Sequence, residues 1–557
     1  MKKLIPVLLL LITFSCKEQP YLAKEEITLW KPYNDSAEVA KNQNHQNERM
    51  RYKFIQSKVL DKNAVFRPLY NEVSKFSEAE YEAIKPLILE QDIYTLQSYV
   101  AQDYFTYEKL VLFYLYRIYK YELKNETTLN TIIALNSNVL EEARQADKVL
   151  TNVGLKGKHP IYGMPILLKD NINTSGMKTT AGSIALMNNE VEDAFIVKRL
   201  KENGALILGK VNLSEWANFL CNCPNGQSAI GGQTLNPYGR RVFDTGGSSA
   251  GSGTSVAANY AVAAVGTETS GSILSPSSRN SVVGLKPTIG LLSRTGIIPI
   301  SSTLDTPGPM TKSVRDNAIL LSAMLGKDTL DAKSVEGYPG ILSASMPQET
   351  LKGKRFGAMK SLIESDSLYK ATTERMKAWG AEIIEFTAPE VKMDGFLSIL
   401  NIDMKNDLPD YLRTQVKNEN TVKIKFVADA IAFNRADSQV RIPYGQARFE
   451  GILADSTSAE ELEKIISRLE NNGRHFFDSA LDEHNLDAVL SINNYHASYA
   501  AVAKYPALTV PMGYKNSGEP VGLTFIGKQF KEANLLRMGG AFEKAIKVRK
   551  IPKAYKN

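Results

Sequence analysis

The segment Asp244-Thr-Gly-Gly-Ser-Ser-Ala-Gly-Ser-Gly253 constrains this chain most, because eight of its ten residues are Gly, Ser or Ala. A backbone so sparsely covered can approach another group closely and adopt conformations closed to bulkier residues. The run Ala261-Val-Ala-Ala-Val-Gly-Thr-Glu-Thr-Ser-Gly-Ser-Ile273 follows it. A phosphate cradle would need a Gly-Lys-Ser/Thr ending, which is missing. A linker would not lead at once into alanine-rich, strand-like text. A third reading needs a partner base, and Lys169 in Pro165-Ile-Leu-Leu-Lys-Asp-Asn171 supplies one. It follows directly on a buried strand, where desolvation disfavours the ammonium form and lowers its pKa.

The surrounding text reads as α/β. Ile166–Leu168, Ala205–Leu208, Ala261–Val265, Ala488–Leu490, Ala507–Val510 and Leu523–Ile526 are short apolar runs of buried-strand type, with helical patterns between many of them. Leu110, Phe113, Tyr114, Ile118 and Tyr121 mark one face of a helix within 77–148. Residues 330–475 carry more polar helices and read as a helical insertion beside a core of about 96–325 and 476–545. With 23% charged residues and a net charge of +7, the composition excludes wholesale disorder and gives no nucleic-acid footprint. The basic tail, Lys544 to Lys556, reads as a solvated helix end and frayed terminus. The five histidines lie near no Gly-x-Ser-x-Gly elbow and form no His-x-x-Glu-His helix, so a Ser-His-Asp or zinc hydrolase is poorly supported.

At the N-terminus, Lys2 and Lys3 precede an apolar run from Leu4 to Phe14. As a helix it spans only about 16 Å, against roughly 30 Å of bilayer hydrocarbon, which has the form of a secretory signal over 1–15. Thr13-Phe14-Ser15-Cys16 resembles a lipoprotein box, so Cys16 is expected to be lipidated. The expected product is an exported protein, tethered on the periplasmic or cell-surface side of a bacterial membrane only through that lipid. Residues 16–71 read as a polar, irregular tether, and 72–557 as the main folded domain. Cys221 and Cys223 read by default as two unpaired thiols in a loop, with a tight disulfide and a two-residue metal claw as the weaker alternatives.

These residues resemble the amidase signature family. Gly-Gly-Ser-Ser-x-Gly-Ser, Gly-Thr-x-Thr-x-Gly-Ser-Ile and Val283-Gly-Leu-Lys-Pro-Thr288 form its core motif, and similar text extends from about Leu96 to Glu543. Asn212-Leu-Ser-Glu-Trp-Ala-Asn218, Gly231-Gly-Gln-Thr-Leu-Asn-Pro-Tyr238 and Gly266-Thr-Glu-Thr look most like the bacterial peptide amidases. The resemblance implies the amidase-signature fold, a mixed central β-sheet covered by helices on both faces. It also implies a Ser-Ser-Lys triad with Ser272 as nucleophile, Ser248 as the bridging serine after a cis peptide bond, and Lys169 as base. Backbone N–H groups of Thr269, Ser270, Gly271 and Ser272 would form the oxyanion hole. Glu268, Ser270 and Leu274 depart from the commoner Asp, Gly and Arg, and with Arg279 they bear on substrate rather than on the triad.

The implied activity is hydrolysis of a carboxamide C–N bond through an acyl-enzyme, with no metal or organic cofactor. A short peptide with a C-terminal amide is the leading substrate. The alternatives are an aryl- or fatty-acid-amide hydrolase and a catalytically silent amide- or peptide-binding lipoprotein. A transamidase component that works on glutamyl-tRNA is disfavoured by the expected export. Neither the acyl group nor the oligomeric state is legible.

Overall fold

The structure, a computed structural model, describes residues 27–337, 340–345 and 350–556. Its centre is an eleven-stranded mixed sheet in the order β1-β3-β2-β6-β8-β7-β12-β13-β11-β9-β10. In chain order these strands are β1 (Ile132–Leu135), β2 (Pro165–Lys169), β3 (Leu206–Val211), β6 (Ala263–Glu268), β7 (Val283–Lys286), β8 (Thr306–Thr311), β9 (Arg355–Met359), β10 (Glu382–Phe386), β11 (Ala488–Ile492), β12 (Ala507–Tyr514) and β13 (Pro520–Ile526). A separate two-stranded ribbon pairs β4 (Gln227–Ser228) with β5 (Gly232–Gln233). Strand β2 runs parallel to β3 and β6, while β6–β8, β7–β8 and β12–β13 are antiparallel. Each of the six apolar runs contributes to a strand, and the strands β2, β3, β6, β11 and β13 are buried along their whole length.

The predicted aromatic stripe lies on helix Tyr107–Glu122, which is buried almost all round rather than on one face. Helix Ala250–Ala257 is wholly buried, and its small side chains allow it to pack against β2, β6 and β8. Ser252 Oγ ties it to the sheet by donating to the Val265 carbonyl at 3.1 Å, while the Thr254 and Ser255 hydroxyls donate to carbonyls of the helix itself.

Three readings of the chain's periphery are corrected. Residues 27–71 are not an irregular tether. They hold helices Ser36–Asn42 and Lys62–Val73, and Tyr52, Ile55 and Phe66 enter the main core. Asp35 pins this segment by accepting from the N–H groups of Ile55 and Gln56 at 2.7 and 3.0 Å. The insertion 330–475 is not wholly helical, because 355–386 supplies β9 and β10, which extend the sheet beyond β11. Helices from Phe396 to Glu483 then build a second apolar cluster around Met404, Leu408, Phe449 and Leu469. The basic tail is not frayed either. Arg549 Nε sits 2.8 Å from Glu90 Oε2, and Tyr555 donates from its hydroxyl to the Thr127 carbonyl at 2.6 Å. Away from the periphery, Cys221 and Cys223 are joined as a disulfide rather than held as free thiols, their Cα atoms 5.1 Å apart and so within bridging range.

Candidate active site

Strand β2 ends at Lys169, and the parallel strand β6 beside it ends at Glu268. Lys169 is fully buried, and its ammonium group meets three oxygens. It lies 2.8 Å from Ser248 Oγ, 2.7 Å from Thr267 Oγ1 and 3.1 Å from the Thr267 carbonyl. Burial lowers its pKa to about 7, against the opposing pull of the Asp305 and Glu268 carboxylates. At neutral pH a large fraction of this lysine is therefore uncharged and able to accept a proton.

Ser248 follows a cis peptide bond from Gly247 and is fully buried. The next residue ties it to the second serine segment, because the Ser249 N–H donates to the Ser272 carbonyl at 3.1 Å. The Ser248 carbonyl in turn accepts from the Ser214 N–H at 3.0 Å. Ser272 lies just beyond β6 on a tight loop and keeps 9% of its surface exposed. Gly271 before it has φ +87, and a Cβ there would lie 2.9 Å from the Asn494 side-chain nitrogen. Only glycine suits that position.

Glu268 organises this loop. One of its carboxylate oxygens accepts from the Gly271 N–H at 2.6 Å, and the other accepts from Ile273 and Leu274 at 2.7 and 3.0 Å. The Gly271 amide is thus already paired, which leaves Thr269, Ser270 and Ser272 of the four expected oxyanion donors. Sequence reasoning assigned Glu268 to substrate choice, whereas here it braces the backbone on both sides of Ser272. Thr267, Asp305 and Asn171 were not singled out at all. Asn171 donates to Thr267 Oγ1 at 3.0 Å, and Asp305 accepts from the Thr269 hydroxyl and from the N–H groups of Ile300 and Ser301. Thr267 and Thr269 sit inside the Gly-Thr-Glu-Thr motif, and Asn171 lies two residues after Lys169, so proximity to those motifs was the available signal.

Leu274 is buried in the main core, and Arg279 pairs with Glu519 at the turn between β12 and β13. Both are structural and neither lines the adjoining cavity. That cavity, about 520 Å³, is walled by Thr267, Thr269, Asp305, Ile298, Ile300 and Tyr411 among others. His159 and His496 are held by Ser322 and Ser491 at 3.0 and 2.7 Å, which makes them packing residues. Among the described residues no group of three or more His, Cys, Asp or Glu is arranged to hold a metal ion.

The Amidase family model matches residues 109–536. The chain belongs to this family. It is 37% identical over 445 residues to a probable amidase of Arabidopsis thaliana, covering 76% of this chain and 85% of that one. It is 32% identical over 515 residues to a putative amidase of Schizosaccharomyces pombe, covering 83% and 86%. A glutamyl-tRNA(Gln) amidotransferase subunit of Caldanaerobacter subterraneus is 32% identical over 472 residues, covering 79% and 93%. Among solved structures, an amidase family protein from Bacillus anthracis superposes with TM-score 0.83 at 38% identity, covering 90% of this chain and 100% of that one. The peptide amidase of Stenotrophomonas maltophilia gives 0.77 at 36%, covering 83% and 98%, and a peptide amidase complexed with the competitive inhibitor chymostatin gives the same score. The corresponding amidotransferase subunit from Thermotoga maritima gives 0.60 at 26%, covering 83% and 97%. This amidase-family protein is accordingly a hydrolase of amide C–N bonds.

These findings correct the expected location. The relatives include amidases of a plant and a fission yeast together with amidotransferase subunits, so an exported protein on the periplasmic or surface side of a bacterial membrane is not upheld. A short apolar run alone was too weak a basis for it. The leader over 1–15 and the lipid on Cys16 fall outside the described residues, and among those residues no helix is long and apolar enough to cross a membrane. Export therefore no longer counts against a transamidase role.

Proposed function

We propose that this amidase hydrolyses the terminal carboxamide of a short peptide through an acyl-enzyme on Ser272. The observation that carries the reading is the buried contact of 2.8 Å between Lys169 Nζ and Ser248 Oγ. An uncharged Lys169 takes the Ser248 hydroxyl proton while Ser248 takes that of Ser272, and the freed alkoxide attacks the carbonyl carbon. The relay runs in reverse to protonate the departing amine, so the first products are the acyl-Ser272 ester and ammonia. Water then enters by the same relay and releases the acid. Backbone N–H groups of the braced loop receive the oxyanion, each worth about 3 kcal/mol in enzymes of this kind.

The amidotransferase reading has the support of the relatives bearing that name. The peptide amidase structures match better in both identity and superposition, which favours a free peptide amide over a tRNA-linked substrate. The test is ammonia release from C-terminally amidated dipeptides, with anilides and fatty-acid amides alongside, for the wild type and for Ser272→Ala. Ammonia from the peptide amides and at least a thousandfold loss in the variant are expected, the scale on which nucleophile removal acts. Cleavage confined to anilides or fatty amides would discard the peptide assignment. Unchanged turnover in Ser272→Ala would overturn the mechanism.

A further inference from the structure

Helix Phe396–Gln415 presents Asp407, Asp410, Tyr411 and Thr414 to the cavity, spaced three and four residues apart as one helical face requires. The wall beside the candidate catalytic loop is unevenly charged. Four carboxylates, Asp305, Asp331, Asp407 and Asp410, line it together with a single guanidinium, Arg294.

Most of those charges are already spent. Arg294 is gripped by Asp331 and also donates to the Ser302 carbonyl, where Lys333 donates as well. Asp305 takes up the Thr269 hydroxyl and two backbone N–H groups, and Asp410 pairs with Arg413 at the exposed rim. Asp403, one turn before Asp407, is occupied by the Ser301 hydroxyl and the Thr303 N–H.

Asp407 differs. It accepts from the Ser302 N–H at 2.6 Å and from the Ser302 side chain, both neutral donors, and none of the ion pairs among the described residues includes it. Burial and the nearby Asp403 carboxylate raise its pKa to about 6, so at neutral pH it is mostly an anion without a counter-charge in contact. Asn171, 2% exposed, lines the same cavity; it spends its nitrogen on Thr267 Oγ1 and the Ile298 carbonyl, while its Oδ1 has no partner. A buried acceptor without a partner costs free energy until a donor arrives. Both groups have acceptor capacity to spare, and one of them is anionic.

We propose that Asp407 and Asn171 form an acceptor subsite that selects amides carrying a cationic ammonium, such as a peptide amide with a free N-terminus. This rests on the amide-hydrolase reading above and adds to it the charge class of the acyl side. Asp407→Asn keeps the acceptor for the Ser302 N–H and removes only the charge, so the fold is preserved.

The experiment compares a dipeptide amide bearing a free ammonium with its N-acetylated twin. The wild type is expected to favour the ammonium form in kcat/KM, and Asp407→Asn is expected to lower that ratio about tenfold, mainly through KM, as loss of a close charge partner does. Equal kcat/KM for both amides in the wild type, or an unaltered ratio in the variant, would overturn the subsite. The same pair titrated by calorimetry into Ser272→Ala separates the two readings. Preferential binding of the ammonium form without turnover in the wild type upholds the subsite and sinks the hydrolytic reaction. Indifferent binding sinks the subsite alone.

Discussion

Lys169 can serve as a base only because of its burial. In water its ammonium would hold its proton throughout the neutral range; at the end of β2, with no exposed surface, its pKa falls to about 7. Below that value the ammonium form accumulates and no proton can be accepted, so kcat/KM should fall as pH drops through about 7 and level off above it. A rate profile with no acidic limb between pH 6 and 8 would remove Lys169 from the role of base. At this scale the sequence was informative. The roles expected of Lys169, Ser248 and Ser272 came from the resemblance of their motifs to the amidase signature family, and the structure puts Lys169 beside Ser248. Glu268 was legible as a departure but not as a brace, because its three N–H partners come within reach only after the chain turns back at Gly271.

The elements divide by how openly they state their burial. Six apolar runs announced strands, and all six contribute to them. Strand β8, Thr306-Pro-Gly-Pro-Met-Thr311, did not, although it lies between β6 and β7. Its two prolines each lack an N–H, which ordinarily argues against a central strand. A Cβ at Gly308 would lie 2.2 Å from the Leu285 carbonyl, so the close packing there depends on glycine. The tail was misread for another reason, since its basic residues look solvated until their partners from distant elements appear. Arg549 reaches Glu90, where burial alone would raise the carboxyl pKa, yet the guanidinium outweighs it and brings the value down to about 2. That stabilisation is present above the ordinary glutamate range and is lost as pH falls toward 2. Arg549→Ala should leave Glu90 half-buried and short of charge, costing about 2–3 kcal/mol in urea unfolding at neutral pH. An unchanged midpoint would show that the Arg549–Glu90 pair contributes nothing to the fold.

At the scale of the whole molecule the described residues form two apolar clusters, one around the sheet and one among the helices after Phe396, and residues of both line the cavity. Ile298, Ile300 and Tyr411 belong to the second cluster and line the cavity, as does Ala217 next to Trp216. Phe449 has no exposed surface and packs its ring 5.2 Å from that of Trp216. Phe449→Ala should cost about 3–5 kcal/mol and also raise KM, because the void opens behind a cavity wall. Lost stability with an unchanged KM would mean that the helical cluster does not shape the pocket. This organisation was only partly legible, since β9 and β10 sit in text whose helical periodicity dominates.

An open sheet this wide must also deal with its two rims. At one, Glu382 and Glu385 stand on β10, with Arg355 and Lys377 as their partners, so a further strand would meet charge rather than bare backbone. At the other, β1 is only four residues long and is backed by helix Lys62–Val73, part of the segment that sequence alone assigned to a tether. That N-terminal segment therefore acts as a selvedge: it finishes the sheet on the side where no charge guards it, and keeps one copy of the enzyme from being stitched to the next.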